Sequence, residues 1–514
     1  MEKSRTYNSI INSIFGVCAS AITVILNFFV RIILVHQLGA EINGLHNLFQ
    51  SIVSVMSLME LGISSAMIIH LYEPIKNQNI ELIKGIMSFY RTIYRLIAAA
   101  FFVVCVFVDI FLMERLVTTT VDMSLVRIYF LLFGISFVVN YLTNYKRSIL
   151  FAEQKNRVSM GVTAVCEVVF RSVQILLLIV FHQYIIFLLL WIAEKATSNT
   201  ICAFYVNKRH PYLKRNHTAL SNDKKQAIFN TVKPLVVNQT ANTVLHSAKS
   251  ILISLLLGNI SIVGYYGNYQ LVISMVEMIY TQFGGAFTTS FGNLAVENDE
   301  KRMATAYKKA AFVMDWFACI MCAGFYVCIQ DFIMITFGQT FVLNSISVIS
   351  LTLNLVFYLV NIPVISIQNA MGLHRLDAFF MIIQAVSSIF LGYIGGLLFA
   401  MPGIFFGLLI PLIIFTTIRK GFVVTKEAFG MKSIDYLKFI GFELFKVVLT
   451  IAIASLICSR LSMQASIFSF IIKGFIAVLL GFMLPAILSF RSNEFKYACS
   501  LTHKYASRLL RKKR

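Results

Sequence analysis

Stretches of about 20 consecutive apolar residues recur along the whole 514-residue chain, and they restrict its fold more than any other feature. A helix of that length spans the hydrocarbon core of a bilayer, where every backbone polar group must be satisfied internally. The sequence is 58% hydrophobic and 13% charged, whereas soluble domains carry about 25% charged residues. These features predict an all-α integral membrane protein.

The hydropathy pattern predicts about fourteen transmembrane helices. The first apolar stretch is too long for the core of a signal peptide, so we expect it to be retained as a membrane helix. The predicted spans are 8–36, 42–70, 88–112, 125–151, 157–181, 184–206, 228–257, 261–288, 308–336, 343–371, 376–400, 402–426, 434–459 and 466–490.

The basic residues predict the orientation of these helices. With fourteen spans, 34 of the 44 Lys and Arg residues lie on the side that carries both termini, and three lie on the opposite side. The positive-inside rule then places both termini in the cytoplasm. The net charge of +21 is therefore attributed to topology and to contact with membrane lipids, and not to nucleic-acid binding.

A weak internal repeat relates the two halves of the chain. The segment 36–60 resembles the segment 255–279, which aligns Gly39 with Gly258 at an offset of 219 residues. Asn140 and Asn361 are related by a similar offset of 221 residues. The repeat predicts two pseudo-symmetric six-helix bundles plus two C-terminal helices, with a substrate site between the bundles. The predicted domains are an N-terminal bundle 1–206, a basic cytoplasmic linker 207–227, a C-terminal bundle 228–426, helices 13 and 14 at 427–490, and a basic cytoplasmic tail 491–514.

Arg31 and Lys249 are the most informative charges within the predicted spans. A cation at the centre of a membrane helix costs about 2.5–3.5 kcal/mol on insertion scales, so it needs a partner or a water-filled cavity. No Asp or Glu lies three or four residues from either cation, whereas Glu167 lies four residues before Arg171 and is predicted to pair with it. Arg31 and Lys249 also occupy nearly equivalent places in the two repeats.

Polar side chains form a stripe on each of three predicted helices. Helical spacing places the members of each stripe on one face, and two of the stripes end in Arg31 or Lys249. One interpretation is hydrogen bonding between membrane helices, and the other, which we favour, is the lining of a polar cavity. The predicted lining residues are Ser20, Thr23, Asn27, Asn238, Asn242, His246, Asn354, Asn361 and Gln368.

A cavity of this composition suits an anionic, sugar-bearing cargo. Arg31 and Lys249 are predicted to bind a diphosphate, and the lining groups would hydrogen-bond sugar hydroxyls while a lipid tail stays in the bilayer. Three acidic residues within the spans, Glu60, Glu277 and Asp315, are candidates for proton or sodium coupling. Their alternative role is a salt bridge to a cation on another helix.

The sequence contains no motif for catalysis or for a cofactor. It has neither a GxxxxGK[ST] phosphate loop nor an HExxH metal motif, and the predicted outward-facing loops are short. We therefore predict a transporter and not an enzyme, with no cofactor, no metal site and no catalytic residues.

Three segments resemble the Wzx-type polysaccharide flippases of the multidrug/oligosaccharidyl-lipid/polysaccharide (MOP) exporter superfamily. They are VRIILVHQLGAEINGLHNLFQ (30–50), SLMELGISSA (57–66) and IVGYYGNYQLV (262–272). The resemblance implies alternating access by two helix bundles and a cationic lumen in which Arg31 is the first-helix arginine. Ile32 follows Arg31, where the related lipid II flippases carry an Asp, so the resemblance favours the polysaccharide flippases.

The resemblance also implies the cargo and the cellular setting. The cargo would be a polyprenyl-diphosphate-linked oligosaccharide repeat unit, moved across the bacterial cytoplasmic membrane for capsule, O-antigen or exopolysaccharide synthesis. Partners would include a polysaccharide polymerase and assembly proteins. Two alternatives stay open from the sequence, namely a multidrug cation antiporter of the same superfamily and a non-transporting scaffold of a glycan assembly complex.

Overall fold

The protein is helical throughout the part of the chain that the structure describes. A computed structural model describes residues 5–60, 63–213, 218–297, 299–373, 378–461 and 464–500. Side chains are described for most of these residues, with 5–20, 233–239 and 241–242 as the longest exceptions. Ten of the described helical segments are long and apolar enough to cross a membrane. The predicted fold class, an all-α multi-pass membrane protein, is confirmed.

The chain divides into two compact units, 1–267 and 268–514, called here the N-terminal and C-terminal units. The N-terminal unit is built from long helices joined by short turns, with α1 packed on α7 and α9, and with α5 packed on α3 and α8. Its helices are α1 (Arg5–Met56), α2 (Ile63–Lys76), α3 (Ile80–Phe111), α4 (Met113–Leu116), α5 (Met123–Asn144), α6 (Arg147–Ala152), α7 (Asn156–Phe181), α8 (Tyr184–Arg209) and α9 (Asn222–Leu257), followed by the first turns of α10 (Ile260–Val296).

In the C-terminal unit, α11 is the central helix and packs against α12, α16 and α17. A π-helical segment, Leu412–Lys420, joins α14 to α15. After α10, the helices of this unit are α11 (Glu300–Phe337), α12 (Ser345–Val360), α13 (Ile362–Met371), α14 (Ala378–Pro411), α15 (Gly421–Phe429), α16 (Ser433–Arg460) and α17 (Ile467–Ser489).

The described residues of each of the fourteen predicted spans lie in one helix or in consecutive helical segments. Two pairs of consecutive spans are joined by a bend inside one continuous helical segment. The chain bends within α1 at Gly39, where φ is 82°, and within α14 at Ala400, where φ is 52°. Glycine adopts a positive φ without the steric penalty of a side chain, which explains why the first bend lies at Gly39. Helix α9 packs on α1 within the N-terminal unit. The predicted bundle boundaries, with a linker at 207–227, remain a prediction.

Two observations support the internal repeat. Gly39 and Gly258 both have positive φ, 82° and 59°, and each marks the end of a long helical arm. Asn199 on α8 donates to Asn140 on α5 at 3.1 Å, and Asn361 donates to Thr417 at 2.8 Å. The same pair of helices, the fourth and sixth of each predicted bundle, is therefore joined by a buried amide in both halves.

Candidate functional site

Arg31 is the centre of a polar cluster inside the N-terminal unit. Its guanidinium donates two hydrogen bonds, from one terminal nitrogen to the Asn43 side-chain oxygen and from the other to that of Asn47. The two acceptors follow Arg31 by 12 and 16 residues, and they reach it because α1 turns back at Gly39. We call these three side chains the Arg31 clamp.

The clamp is held in place by the backbone around it. The Asn43 amide donates to the Gly264 carbonyl at 2.9 Å, and the Asn47 amide donates to the Asn43 carbonyl at the same distance. These bonds orient each amide so that its oxygen faces Arg31. A Cβ atom on Gly267 would overlap the Asn47 carboxamide, so glycine is required where the N-terminal part of α10 crosses the second arm of α1.

An aromatic cage adjoins the clamp on the same arm of α1. The Nδ1 atom of His46 lies 2.9 Å from the Tyr184 hydroxyl oxygen, within hydrogen-bonding distance. The His46 ring stacks on Trp191, with 5.4 Å between the two ring centroids. The Arg171 guanidinium also lies over Trp191, with its central carbon 5.2 Å from the centroid of that ring. The charges of Arg31 and Arg171 both act on His46. The cage therefore joins the two arginines in one polar region.

Two acidic residues close to the cluster, Glu194 and Glu167, contact Arg171 and Thr23 and are not hydrogen-bonded to Arg31. Arg171 pairs with Glu194 on α8 at 3.6 Å, and Glu194 also accepts from Lys195 at 3.0 Å. Glu167 accepts a hydrogen bond from Thr23. The predicted pair of Glu167 with Arg171 is therefore wrong, because Glu194 on the neighbouring helix takes the place of the acid one turn away.

The Arg31 clamp keeps the positive charge of its guanidinium. Both acceptors are neutral amides, so they position the guanidinium without neutralising it. A guanidinium has five N–H donors, and the two bonds to the asparagines leave three. A half-buried cation with a fixed orientation and remaining donors is suited to bidentate contact with a phosphate or diphosphate.

The second predicted diphosphate ligand, Lys249, is half-buried on α9, a helix that packs against α1. His246 is exposed on the same helix, and Asn27 is half-buried on α1. The side chains of Ser20, Asn238 and Asn242 lie outside the described residues. The roles assigned to these positions remain predictions.

The polar stripe around α12 and α13 engages protein groups. Asn354 donates to the carbonyls of Ser350 and Phe405 at 2.8 and 3.1 Å, and Gln368 donates to the Leu373 carbonyl at 3.3 Å. Asn361 bonds Thr417, as described above. All three amides are buried, and their hydrogen bonds are those expected of helix–helix packing. Their predicted lining role is untested.

The three candidate coupling acids have different surroundings. Glu60 is half-buried and accepts from the Tyr94 hydroxyl at 3.1 Å. Glu277 is half-buried on α10, in the C-terminal unit. Asp315 is 1% exposed on α11, and it lies in the electrostatic field of Glu443 and Lys446. Of the three, Asp315 has the most unusual environment.

Sequence reasoning missed most partners of the cluster. Asn43, His46 and Asn47 all lie in the segment 30–50, which was singled out only for its resemblance to a family. The spacing 43–47 is one helical turn and was a signal for two side chains on one face. Tyr184, Trp191 and Glu194, at spacings of seven and three residues, also share a face of α8, but nothing in the sequence connects that face to α1.

Comparisons with known proteins identify the fold. No family model matches the sequence, and no curated protein sequence matches it. The lipid II flippase MurJ, in an inward closed conformation, matches with a TM-score of 0.69 and 15% identity over 93% of this chain and 99% of that chain. An inward-facing multidrug resistance MATE family transporter of the MOP superfamily matches with a TM-score of 0.63 and 13% identity, covering 81% of this chain and 94% of its own.

A third structure extends this comparison. A MOP superfamily transporter from Pyrococcus furiosus, for which a reversed polarity of the binding pocket suggests a different function, has a TM-score of 0.51 and 13% identity. It covers 85% of this chain and 96% of its own length. At these identities the likeness concerns the fold alone, and it places the chain among proteins with the fold of MOP superfamily transporters.

Proposed function

We propose that the protein is a flippase that moves polyprenyl-diphosphate-linked oligosaccharide repeat units across the bacterial cytoplasmic membrane, for the synthesis of a surface polysaccharide. Its termini would face the cytoplasm, and it would work beside a polysaccharide polymerase. The Arg31 clamp is the observation that carries this proposal. The likeness in fold to a lipid II flippase supports the class of cargo, since lipid II is itself a lipid-linked molecule.

The clamp would act on the diphosphate, which is the one feature shared by all cargoes of this class. Charge-assisted hydrogen bonds are worth about 1.5–3 kcal/mol each, and the effect grows as water is excluded. The guanidinium would meet two phosphate oxygens through its remaining donors, and Arg171 and Lys249 would add positive potential. Because none of these contacts reads the sugar, the polar lining would decide which repeat unit is accepted.

The test is the distribution of the lipid-linked repeat unit between the two leaflets in a strain that expresses the variant as its only copy. Arg31→Ala should leave the unit on the cytoplasmic leaflet and abolish the surface polysaccharide. Arg31→Lys should restore transport only in part, because an ammonium lacks the planar fork. Arg127→Ala is the matched control, since Arg127 is paired with Glu114 at 2.6 Å, outside the cluster.

Normal export by Arg31→Ala, at a protein level equal to that of the unmodified protein, would refute the proposal. The second candidate, a multidrug cation antiporter, is favoured by the likeness in fold to the MATE transporter and by the buried acids Asp315 and Glu443. In that case, deletion of the gene would sensitise cells to cationic drugs and leave the surface polysaccharide unchanged.

A further inference from the structure

Three ionisable side chains are buried together in the C-terminal unit. Asp315 on α11 is 1% exposed, and Glu443 and Lys446 on α16 are 2% exposed. The Lys446 ammonium lies 2.6 Å from Glu443, donates to the Ser489 hydroxyl at 3.4 Å and lies 4.6 Å from the centroid of the Phe312 ring. A second ring, that of Phe442, lies 5.1 Å from the ammonium, so Lys446 is surrounded by one carboxylate, one hydroxyl and two aromatic faces.

Asp315 has no comparable partner. Among the described residues, no donor lies within hydrogen-bonding distance of either of its carboxylate oxygens, although both oxygens are fully buried. The Tyr280 hydroxyl is also buried without a hydrogen-bond partner in the described part of the chain. An ionised carboxylate without hydrogen bonds in a low-dielectric interior is strongly unfavourable. The arrangement is therefore stable only when Asp315 is neutral.

The charge balance leads to the same conclusion. Two carboxyl groups face one ammonium, and that ammonium already pairs with Glu443. In the part of the chain that the structure describes, the other titratable groups that act on Asp315 or Glu443 are tyrosines, cysteines and one more acid, and none of them supplies a positive charge. They are Tyr280, Tyr307, Tyr436, Cys319, Cys322 and Glu494.

We propose that Asp315 is an exchangeable proton-binding site, and that the Glu443–Lys446 pair makes its occupancy depend on the conformation of α11 and α16. With the site buried, Asp315 keeps its proton. If α11 and α16 separate enough to admit water, the O–H bond breaks, the proton passes to water and the carboxylate remains with its electron pair. The inference does not depend on the identity of the cargo.

The bound species is a proton rather than a sodium ion. A sodium ion would need several oxygen ligands, and the fixed ammonium of Lys446 next to Glu443 would repel it. A proton needs only one oxygen and removes the charge of Asp315 altogether. The site involves α16, one of the two helices that follow the predicted 6+6 repeat.

Infrared spectroscopy of the purified full-length protein tests the charge count directly, through the C=O stretch of protonated carboxylic acids. Asp315→Asn should lose one such band relative to the unmodified protein. Glu443→Gln should lose it as well, because Lys446 then becomes the partner of an ionised Asp315. Lys446→Met should gain a second band, since both acids would then have to be neutral.

Asp331→Asn is the matched control on the same helix. Asp331 pairs with Lys473 at 2.7 Å and accepts from Ser469 at 2.9 Å, so one acid faces one base and no protonated carboxyl is expected there. This variant should leave the band unchanged. Elution as a monodisperse peak in detergent verifies the fold of each variant before measurement.

Three outcomes would overturn the proposal. They are a band that persists in Asp315→Asn, a Lys446→Met variant with no additional band, and a band that disappears from the unmodified protein when sodium is added at constant pH. The last result would indicate a sodium site. Because no substrate is present, failure here is distinct from failure of the flippase proposal, which the leaflet assay measures.

Discussion

Replacement of Asn47 by aspartate, Asn47→Asp, tests whether the neutrality of the Arg31 clamp is its functional property. The change preserves the size and shape of the side chain and keeps an acceptor oxygen on the Arg31 guanidinium. It adds one negative charge in direct contact with that guanidinium. If the clamp binds an anion, the new carboxylate competes with the substrate for the same charge.

The magnitude follows from the contact. Two unit charges about 4 Å apart interact with about 4 kcal/mol at an effective dielectric constant of about 20. If about half of that energy must be given up when a diphosphate binds, affinity falls by about 2 kcal/mol, or about 30-fold. Asn47→Ala removes the hydrogen bond and adds no charge, so it should cost about 1 kcal/mol, or about fivefold.

The assay is the binding of a short-chain prenyl diphosphate to purified protein in lipid nanodiscs, measured by isothermal titration calorimetry. We expect affinity to decrease in the order unmodified protein, Asn47→Ala, Asn47→Asp. The comparison of the two variants is the control, because both lose the amide donor of Asn47, which bonds the Asn43 carbonyl. If Asn47→Asp bound the diphosphate as tightly as Asn47→Ala, the argument that the clamp works through an uncompensated charge would be refuted.

Two further predictions concern the support of the cluster and the acid stability of the N-terminal unit. Gly267→Ala should weaken diphosphate binding about tenfold, because its methyl group would displace the Asn47 carboxamide, whereas Gly161→Ala, where no atom lies within 4 Å, should leave binding unchanged in the same titration. Burial raises the pKa of Glu153, but hydrogen bonds from His210 and Lys155 outweigh it and hold that pKa at about 2. The stabilisation is complete above the usual pKa of 4.5 and is lost as the pH falls towards 2. The unfolding temperature, measured between these two pH values, should therefore depend less on pH in Glu153→Gln than in the unmodified protein. The same pH dependence in both proteins would contradict the prediction.

The course of α1 illustrates what the sequence could predict. The apolar runs predicted two consecutive spans, 8–36 and 42–70, and α1 contains the first and the beginning of the second, with the bend at Gly39. Arg31 was identified as an important charge because a cation in a membrane helix is costly. The sequence could not supply its partners, because helical spacing relates residues three or four positions apart, whereas Asn43 and Asn47 reach Arg31 only after the chain reverses.

Arg171 shows the same limit more sharply. Spacing along one helix favoured Glu167, and the structure pairs Arg171 with Glu194 and leaves Glu167 to Thr23. The choice between two acids depends on the rotation of α7 against α8 and α1. Many weak packing contacts contribute to that rotation, and spacing along one helix does not reveal them.

The sequence by itself determined that the chain is a multi-pass helical membrane protein, because a bilayer accepts only long apolar segments with satisfied backbones, and such segments are visible in composition alone. It also indicated that Arg31 and Lys249 were costly cations without a local acidic partner, and that Asp315 was one of three candidate coupling acids. Only the tertiary structure decided that Arg31 faces two neutral amides and that Asp315 faces an already paired lysine. Such contacts join segments that are distant in sequence. Their geometry depends on the distance between the helices where they cross, which is short at residues such as Gly267.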